Sequence, residues 1–329
     1  MKRIAVIGAG RWACEMHLPA LRQLQAAGRA EYAAVCDLDA GRAETFAAGL
    51  GAQPFARADA MLAGVRPDGV AILVSPGATP AVVGMCIERG LPFLAEKPPA
   101  TDLDTHRRLL RAGGALPHVV AYNRRHAPYV RQALAWMEGV RLQSVHGDFS
   151  RYDRRDADFT LTAVHAIDTV QCLAREDLAE ARLEVAPVEA ASNFFLTGWT
   201  AGGVRVDLRI TPTTGSAHEH YLLAGRERTV LVAYPQTGMI DLPGRVERRD
   251  RNRVTQTRTA PDFGLAADDH PGLGGIVREH ALFIEVLEGT ALAWSTLRTA
   301  LPTQMLREAL SAMQRAGGRQ TRETVLDCP

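Results

Sequence analysis

The chain opens on an apolar run, Ile4-Ala5-Val6-Ile7, that drives straight into the turn Gly8-Ala9-Gly10-Arg11-Trp12-Ala13 and then into a helical pattern. Gly8 permits a tight turn, Gly10 lets the backbone approach a pyrophosphate, and Ala13 is the small residue that close helix–strand packing needs at the third position. The helix that follows offers unpaired N–H groups and a positive dipole end to phosphates. The next apolar run, from Glu31 to Cys36, ends on Asp37, where a carboxylate would accept hydrogen bonds from adenosine ribose hydroxyls. Strand, glycine turn, helix and acid together predict a dinucleotide-binding βαβ unit. Asp37 argues for NAD over NADP, a preference that Arg42 can soften by offering charge to a 2′-phosphate. Pro19 predicts that the first helix kinks or restarts near Leu18.

Alternating apolar and amphipathic stretches continue to residue 121, with strands expected at Arg3–Ile7, Tyr32–Asp37, Gly69–Val74, Phe93–Glu96 and His118–Ala121. Such alternation gives an α/β domain with a doubly wound parallel sheet, a Rossmann fold, over residues 1–121. Ligands of these sheets gather beyond the carboxyl ends of the strands. Gly8, Gly10, Arg11, Trp12, Asp37, Ser75, Glu96 and Lys97 are therefore expected to converge on one crevice. Pro98 removes a backbone donor and orients the residue before it, which fixes Lys97 at a cleft mouth. A lysine there, near a nicotinamide, can donate or take the proton that accompanies hydride transfer at a carbonyl or alcohol carbon.

Beyond Tyr122 the rhythm changes to a helix from Pro128, a strand from Leu142, a helix over Leu161–Leu173 and many short β-like runs. Residues 122–329 therefore read as an α+β domain with a largely antiparallel open sheet and helices on one side. The charged stretch Arg245–Thr259 is an exposed hairpin or a mobile loop, and two helices near Gly275–Leu287 and Thr296–Ala316 close the chain. With 329 residues, 47% of them hydrophobic, two such domains have ample material for two cores.

Composition excludes several classes. Lys and Arg number 38 against 37 Asp and Glu, a net charge of +1, so no global field recruits nucleic acid or an anionic membrane. The basic run Arg151-Tyr152-Asp153-Arg154-Arg155 carries an acid that repels phosphates; it reads as a solvated loop or as an overhang of a substrate cleft. No apolar stretch approaches the ~20 residues needed to span a bilayer, and the expected setting is cytoplasmic. Cys14, Cys36, Cys86, Cys172 and Cys328 form no C-x-x-C pair, which suits neither a disulfide framework nor a zinc cluster. His218 and His220 lack a third ligand nearby and read as a surface pair, so no metal is expected.

Taken together, several segments resemble the Gfo/Idh/MocA family of oxidoreductases over nearly the whole chain. They are Gly8–Ala13, His17-Leu18-Pro19-Ala20-Leu21, Ser75-Pro76 with the helix after it, Glu96-Lys97-Pro98, Tyr122–Pro128 and His165-Ala166-Ile167-Asp168. The resemblance implies a Rossmann domain followed by an α/β domain whose open sheet often forms homodimers or homotetramers. It implies that Lys97 lies beside the nicotinamide of NAD, and that His165 contacts substrate or shares proton transfer. It also places Asn123 and Arg124 in the segment that joins the domains near the cofactor, with Arg124 a substrate-binding candidate. Asp168, one helical turn after His165, would orient or cap.

One departure stands out. Sugar and polyol dehydrogenases of that family usually carry an aspartate four residues before the histidine; here the position holds Leu161. Leucine can neither hydrogen-bond a hydroxyl nor move a proton. Asp158, one helical turn earlier, or Asp156 nearby could reach a substrate from the preceding loop instead. Two functions are therefore open: an NAD(P)-dependent dehydrogenase acting on a small polar, sugar-like metabolite, or a nucleotide-binding sensor with little activity.

Overall fold

A computed structural model describes residues 1–236 and 238–326; Cys328 lies outside the described residues. The first elements are β1 (Lys2–Ile7), a π-helical turn (Ala13–His17), α1 (Leu18–Ala26), β2 (Ala30–Cys36), α2 (Ala40–Ala48), β3 (Gln53–Phe55), α3 (Ala58–Val65) and β4 (Gly69–Ile72). Then come α4 (Thr79–Glu88), β5 (Phe93–Glu96), α5 (Leu103–Gly113), β6 (His118–Ala121), a 3-10 turn (Asn123–His126), α6 (Pro128–Trp136), β7 (Leu142–Ser150) and α7 (Thr160–Ala174). Seven strands follow, β8 (Leu178–Val188), β9 (Ala191–Thr200), β10 (Arg205–Thr211), β11 (His218–Gly225), β12 (Arg228–Ala233), β13 (Arg245–Asp250) and β14 (Arg253–Arg258). The chain continues through α8 (His270–Leu273), α9 (Ile276–Glu288), α10 (Leu297–Ala316) and β15 (Gln320–Val325).

Two compact units emerge. The first holds Met1–Asn123 and Gly275–Leu301; the second holds Arg124–Gly274 and the segment from Pro302 onward. The sequence reading divided the chain once, at residues 121 and 122. The return of Gly275–Leu301 to the first unit is a difference that local pattern could not reveal. Its cause is burial: Leu282, Phe283 and Ile284 of α9 join Ile4, Val6 and Phe46 in the first unit's core.

In the first unit all strand neighbours run parallel, in the order β3-β2-β1-β4-β5-β6. This is the doubly wound order, with its switch point between β1 and β4. β3 escaped the sequence reading because it has three residues, one of them Pro54, a residue tolerated at a sheet edge. Pro19 acts as expected. Lacking an N–H, it cannot continue an uninterrupted ladder, and the chain inserts the π turn before α1 starts, with the proline in its first turn.

The return segment is tied down by two buried histidines. Leu297 N–H donates to His118 Nε2 at 2.9 Å, so the His118 proton sits on Nδ1 and is donated to Leu116 O at 2.6 Å. His106 Nε2 donates to Leu297 O at 2.7 Å. The backbone of one residue is thus held on both sides by neutral imidazoles. Ser295 extends the attachment: its hydroxyl donates to Val120 O at 2.6 Å, and Val120 N–H donates to Ser295 O at 2.8 Å.

The second unit is a nine-stranded sheet, order β14-β13-β12-β11-β7-β10-β9-β8-β15. Among the described strands only β7 and β10 pair in parallel there. The stretch Arg245–Thr259 is a hairpin, β13 with β14. Along β9, Phe194 and Leu196 are buried while Phe195 and Thr197 face the other way and are half-buried, the period-2 signature of a sheet with one covered face. No helix among the described residues is long and apolar enough to cross a membrane.

Burial pushes both His106 and His118 below the ordinary histidine value, outweighing their backbone hydrogen bonds. The folded state then binds fewer protons than the unfolded chain as pH approaches 6.5, the unperturbed value. Their contribution to stability is complete above that pH and is lost as pH falls below it toward the depressed values. Urea unfolding at pH 7.5 and 5.5 is expected to show lower stability at 5.5. His118→Ala at pH 7.5 is expected to cost about 1–3 kcal/mol, because it leaves the Leu297 N–H buried and unpaired.

Candidate functional site

At the carboxyl end of β1, Gly8 has φ +105°, and a Cβ added there would sit 2.5 Å from the carbonyl oxygen of Leu73, just past β4. Only glycine fits. Its N–H donates to Cys36 O at 2.8 Å, closing the β1 turn against the end of β2. Two residues on, nothing lies within 4 Å of where a Gly10 Cβ would be, so the backbone there is open to approach. No side chain caps the helical turn that follows, which leaves its N–H groups for a ligand. Arg11 and Trp12 lie exposed on this turn.

Asp37 sits at the end of β2 as expected, with a further duty. Its Oδ2 accepts the Ala9 N–H at 2.8 Å and its Oδ1 the Asp39 N–H at 2.9 Å. The carboxylate therefore holds the glycine turn itself, and each oxygen keeps lone-pair capacity for a ribose hydroxyl. Arg42 is engaged by Asp39, the cap of α2, at 3.5 Å. The glycine turn, the uncapped helix start and Asp37 fit an adenine dinucleotide.

After β4, the Ser75 carbonyl accepts the N–H groups of Ala78 and Thr79 at 2.9 and 3.1 Å and so opens α4. After β5 stands Glu96, whose carboxylate the protein already uses. Its Oε1 accepts from Trp12 Nε1 at 3.2 Å and pairs with His17 Nε2 at 2.8 Å; its Oε2 accepts the Lys97 N–H at 3.0 Å. Burial would raise Glu96, yet the hydrogen bond and charge of His17, the charge of Lys97 and the Trp12 indole hold it below the usual carboxylate value. Glu96 thus ties down the Lys97 backbone. Behind His17, its Nδ1 lies 2.9 Å from Nε2 of His280 on α9.

Sequence reasoning named His17 only as part of a motif and missed its partner. A signal for Lys97 was nonetheless present: of the 38 lysine and arginine residues, only Lys2 and Lys97 are lysines. Arginine cannot give up its proton in a protein, so a chain that builds its ion pairs from arginine keeps lysine where an amine must titrate.

Within the second unit, α7 carries the other candidate residues. His165 is buried there with Leu161 one turn before it and Asp168 one turn after. The Asp168 carboxylate takes a bidentate grip from Arg125, with Nη2 to Oδ1 at 2.6 Å and Nε to Oδ2 at 2.9 Å. This pair ties α7 to the 3-10 turn.

Two expected substrate ligands are otherwise occupied. Arg124 donates to Glu219 at 2.6 and 3.0 Å and to Gln236 at 3.0 Å. Arg151 grips the same carboxylate at 2.9 Å, and Tyr221 donates to it at 2.7 Å. Burial alone would raise Glu219, but the two guanidiniums hold it at about 2. Arg151 stacks on Phe149, 3.5 Å from the ring centroid, so this arginine belongs to the domain interior and not to an overhanging loop. Asp158 accepts the Thr160 N–H at 3.0 Å and the Thr160 hydroxyl, and its other oxygen accepts from Ser311 at 2.9 Å. It starts α7 and binds it to α10.

Asn123 closes the first unit's amino-terminal segment and is buried. His218 and His220 face Asp148 and Asp241, at 3.3 and 2.7 Å.

Comparison with known proteins finds a family match for the first segment of the chain. Residues 2–124 match the family described as oxidoreductases with an NAD-binding Rossmann fold, GFO_IDH_MocA. The chain is 28% identical over 270 residues to an inositol 2-dehydrogenase of Saccharopolyspora erythraea, a match covering 74% of this chain and 77% of that one. A Gfo/Idh/MocA family oxidoreductase from Vibrio cholerae has a similar fold, with a TM-score of 0.79, 18% identity, and 96% and 99% of the two chains covered. So does the WlbA dehydrogenase of Bordetella pertussis, crystallised with NADH and UDP-GlcNAcA, with a TM-score of 0.74, 18% identity and 99% of each chain covered. The 3-2-1-4-5-6 parallel sheet, the glycine turn and Asp37 all lie within the segment that matches this family of NAD-binding Rossmann-fold oxidoreductases.

Proposed function

We propose that this oxidoreductase is an NAD-preferring dehydrogenase that acts on a secondary alcohol or carbonyl of a small polar, sugar-like metabolite. The observation that carries the reading is Lys97, held at the end of β5 by Glu96 and standing as one of two lysines in the chain. The inositol 2-dehydrogenase relative and the neighbour crystallised with a nucleotide sugar support the substrate class. Asp37, with Arg42 already engaged by Asp39, supports NAD over NADP.

When bound, the nicotinamide ring accepts or releases a hydride. Gly8, Gly10 and the uncapped turn at Arg11 and Trp12 receive the pyrophosphate, Asp37 the ribose, while Ser75 and Asn123 flank the cofactor. Lys97 is the acid and base: it takes the proton from the substrate hydroxyl during oxidation and returns it during reduction. His165 binds the substrate and assists that transfer, its helix held by the Asp168–Arg125 pair. Arg124 and Asp158 hydrogen-bond within the second unit, which supports a part in its architecture.

The half-buried face of the second unit's sheet, with Phe195, Leu222 and Leu231 among ion pairs such as Arg205 with Asp207, supports a homodimer or homotetramer built through that face. A cytoplasmic setting suits Cys14, Cys36, Cys86 and Cys172, all free thiols.

A second reading, a nucleotide-binding sensor, is favoured by Leu161, a hydrocarbon at the position where a carboxylate would serve polyol chemistry. Turnover separates the two. Calorimetry is expected to show NADH binding at least ~10-fold tighter than NADPH, a difference of about 1.4 kcal/mol. A panel of polyols, sugars, keto acids and imines should then yield a turned-over substrate, and Lys97→Met should lower kcat by ~100-fold or more. Tight binding with no turnover across the panel would favour the sensor; unchanged turnover in Lys97→Met would remove the proposed acid and base. Gly8→Ala is expected to abolish NADH binding, since its Cβ collides with the Leu73 carbonyl.

A further inference from the structure

Inside the second unit, two buried guanidiniums share one carboxylate. Arg124 and Arg151 are 4% and 5% exposed, and both donate to Glu219, at 2.6 and 3.0 Å from Arg124 and 2.9 Å from Arg151. The neighbouring Asp168 does not redress the balance, because Arg125 claims it in a pair of its own. Among the described residues the cluster therefore holds one positive charge in surplus, and arginine cannot shed its proton to remove it. A buried cation short of a counter-charge is costly. The other acceptor that the two guanidiniums share is neutral: the amide oxygen of half-buried Gln236, 3.0 Å from Arg124 Nη2 and 3.5 Å from Arg151 Nη2. Phe149 lies against the flat face of Arg151, 3.5 Å from ring centroid to guanidinium carbon, and Tyr234 against that of Arg124 at 4.8 Å. A ligand meets such cations along their N–H edges, where the two Nη2 groups converge on the Gln236 oxygen.

We infer that the place held by the Gln236 amide oxygen is an oxyanion site, which takes one oxygen of a small carboxylate or phosphate between Arg124 and Arg151. Exchanging a neutral oxygen for an anionic one keeps both Nη2 donors satisfied and supplies the charge that the cluster lacks. Hydrogen bonds to an ionised acceptor are about twice as strong as neutral ones, and the planar guanidinium matches carboxylate and phosphate geometry. Gln236 suits the part of a partner that gives way, since it is half-buried, uncharged and placed in the irregular segment after β12. Glu219, by contrast, is fully buried in β11 and accepts from four donors, the three guanidinium N–H groups and the Tyr221 hydroxyl. Burial, joined by the Arg124 charge, pushes Arg151 below the ordinary arginine value even beside Glu219. The cluster also lies close to α7: Thr169 stands beside Tyr221 and donates to the carbonyl of His165, one helical turn earlier, at 2.7 Å. As an anchor for the acid group of a substrate, the site rests on the dehydrogenase reading and narrows the substrate to hydroxy acids or phosphate esters. As an oxyanion site it stands on this geometry alone.

Thermal unfolding of the whole protein reads the site without substrate or cofactor. With inorganic phosphate or acetate raised to about five times its dissociation constant at constant ionic strength, the wild-type midpoint is expected to rise by about 2–4 °C. Gln236→Glu, nearly the same shape with a carboxylate in the shared place, is expected to unfold at a higher temperature with no added anion and to lose the response. Gln236→Ala, which empties the place, is expected to keep the response. A general salting effect acts on all three proteins alike, so the difference between them reports the site. Whichever of phosphate and acetate gives the larger response names the class of oxyanion. No response of wild type to either anion up to ~20 mM, or a response undiminished in Gln236→Glu, would overturn the site and leave both arginines as internal ties of the unit. Responses as expected, with no metabolite turned over, would count against the dehydrogenase reading alone.

Discussion

The first unit depends on one close approach: the backbone of β1 leaves its strand at Gly8 with so little room that the Leu73 carbonyl would lie 2.5 Å from any Cβ. That contact sits at the switch point between β1 and β4, where the helices on either side of the sheet diverge and leave a crevice. Asp37 then holds the turn from the other side through the Ala9 N–H. A turn pinned on two sides presents its uncapped N–H groups in a fixed direction, which is what an anion site built from backbone requires.

The acidic residues of this chain act mainly as organisers of donors. Asp37 gathers two backbone N–H groups, Glu96 an indole, an imidazole and a peptide, Asp168 a guanidinium, and Glu219 two guanidiniums and a phenol. Each gathers donors because a carboxylate taken out of water without them would cost more than its burial returns. The same logic explains why Arg124 and Asp158, attractive from their positions in the sequence, turn out to be occupied. Position along a motif indicates which residues lie near a site, whereas partners decide which of them remain free to meet a ligand.

The departure at Leu161 takes on a definite shape in this setting. The helix that carries it is anchored at its start by Asp158 and in its middle by Asp168 with Arg125, so His165 is held firmly even though the neighbouring position lacks a carboxylate.

Much of this was legible in the sequence because it depends on local rules. The glycine turn, the acid after the second strand, Glu96-Lys97-Pro98 at a strand end, the π interruption before Pro19 and the period-2 strands of the second unit all follow from backbone sterics and periodicity over a few residues. What only the tertiary structure decided lies between residues far apart in the chain. His17 meets His280 across 263 positions, Leu297 is bracketed by His106 and His118 across 191 and 179, and Arg124 finds Glu219 across 95. The return of Gly275–Leu301 to the first unit belongs to the same class. Amphipathic periodicity tells a helix to bury one face and says nothing about which core will receive it; that choice is made by shape and hydrogen-bond partners that exist only once both units have folded.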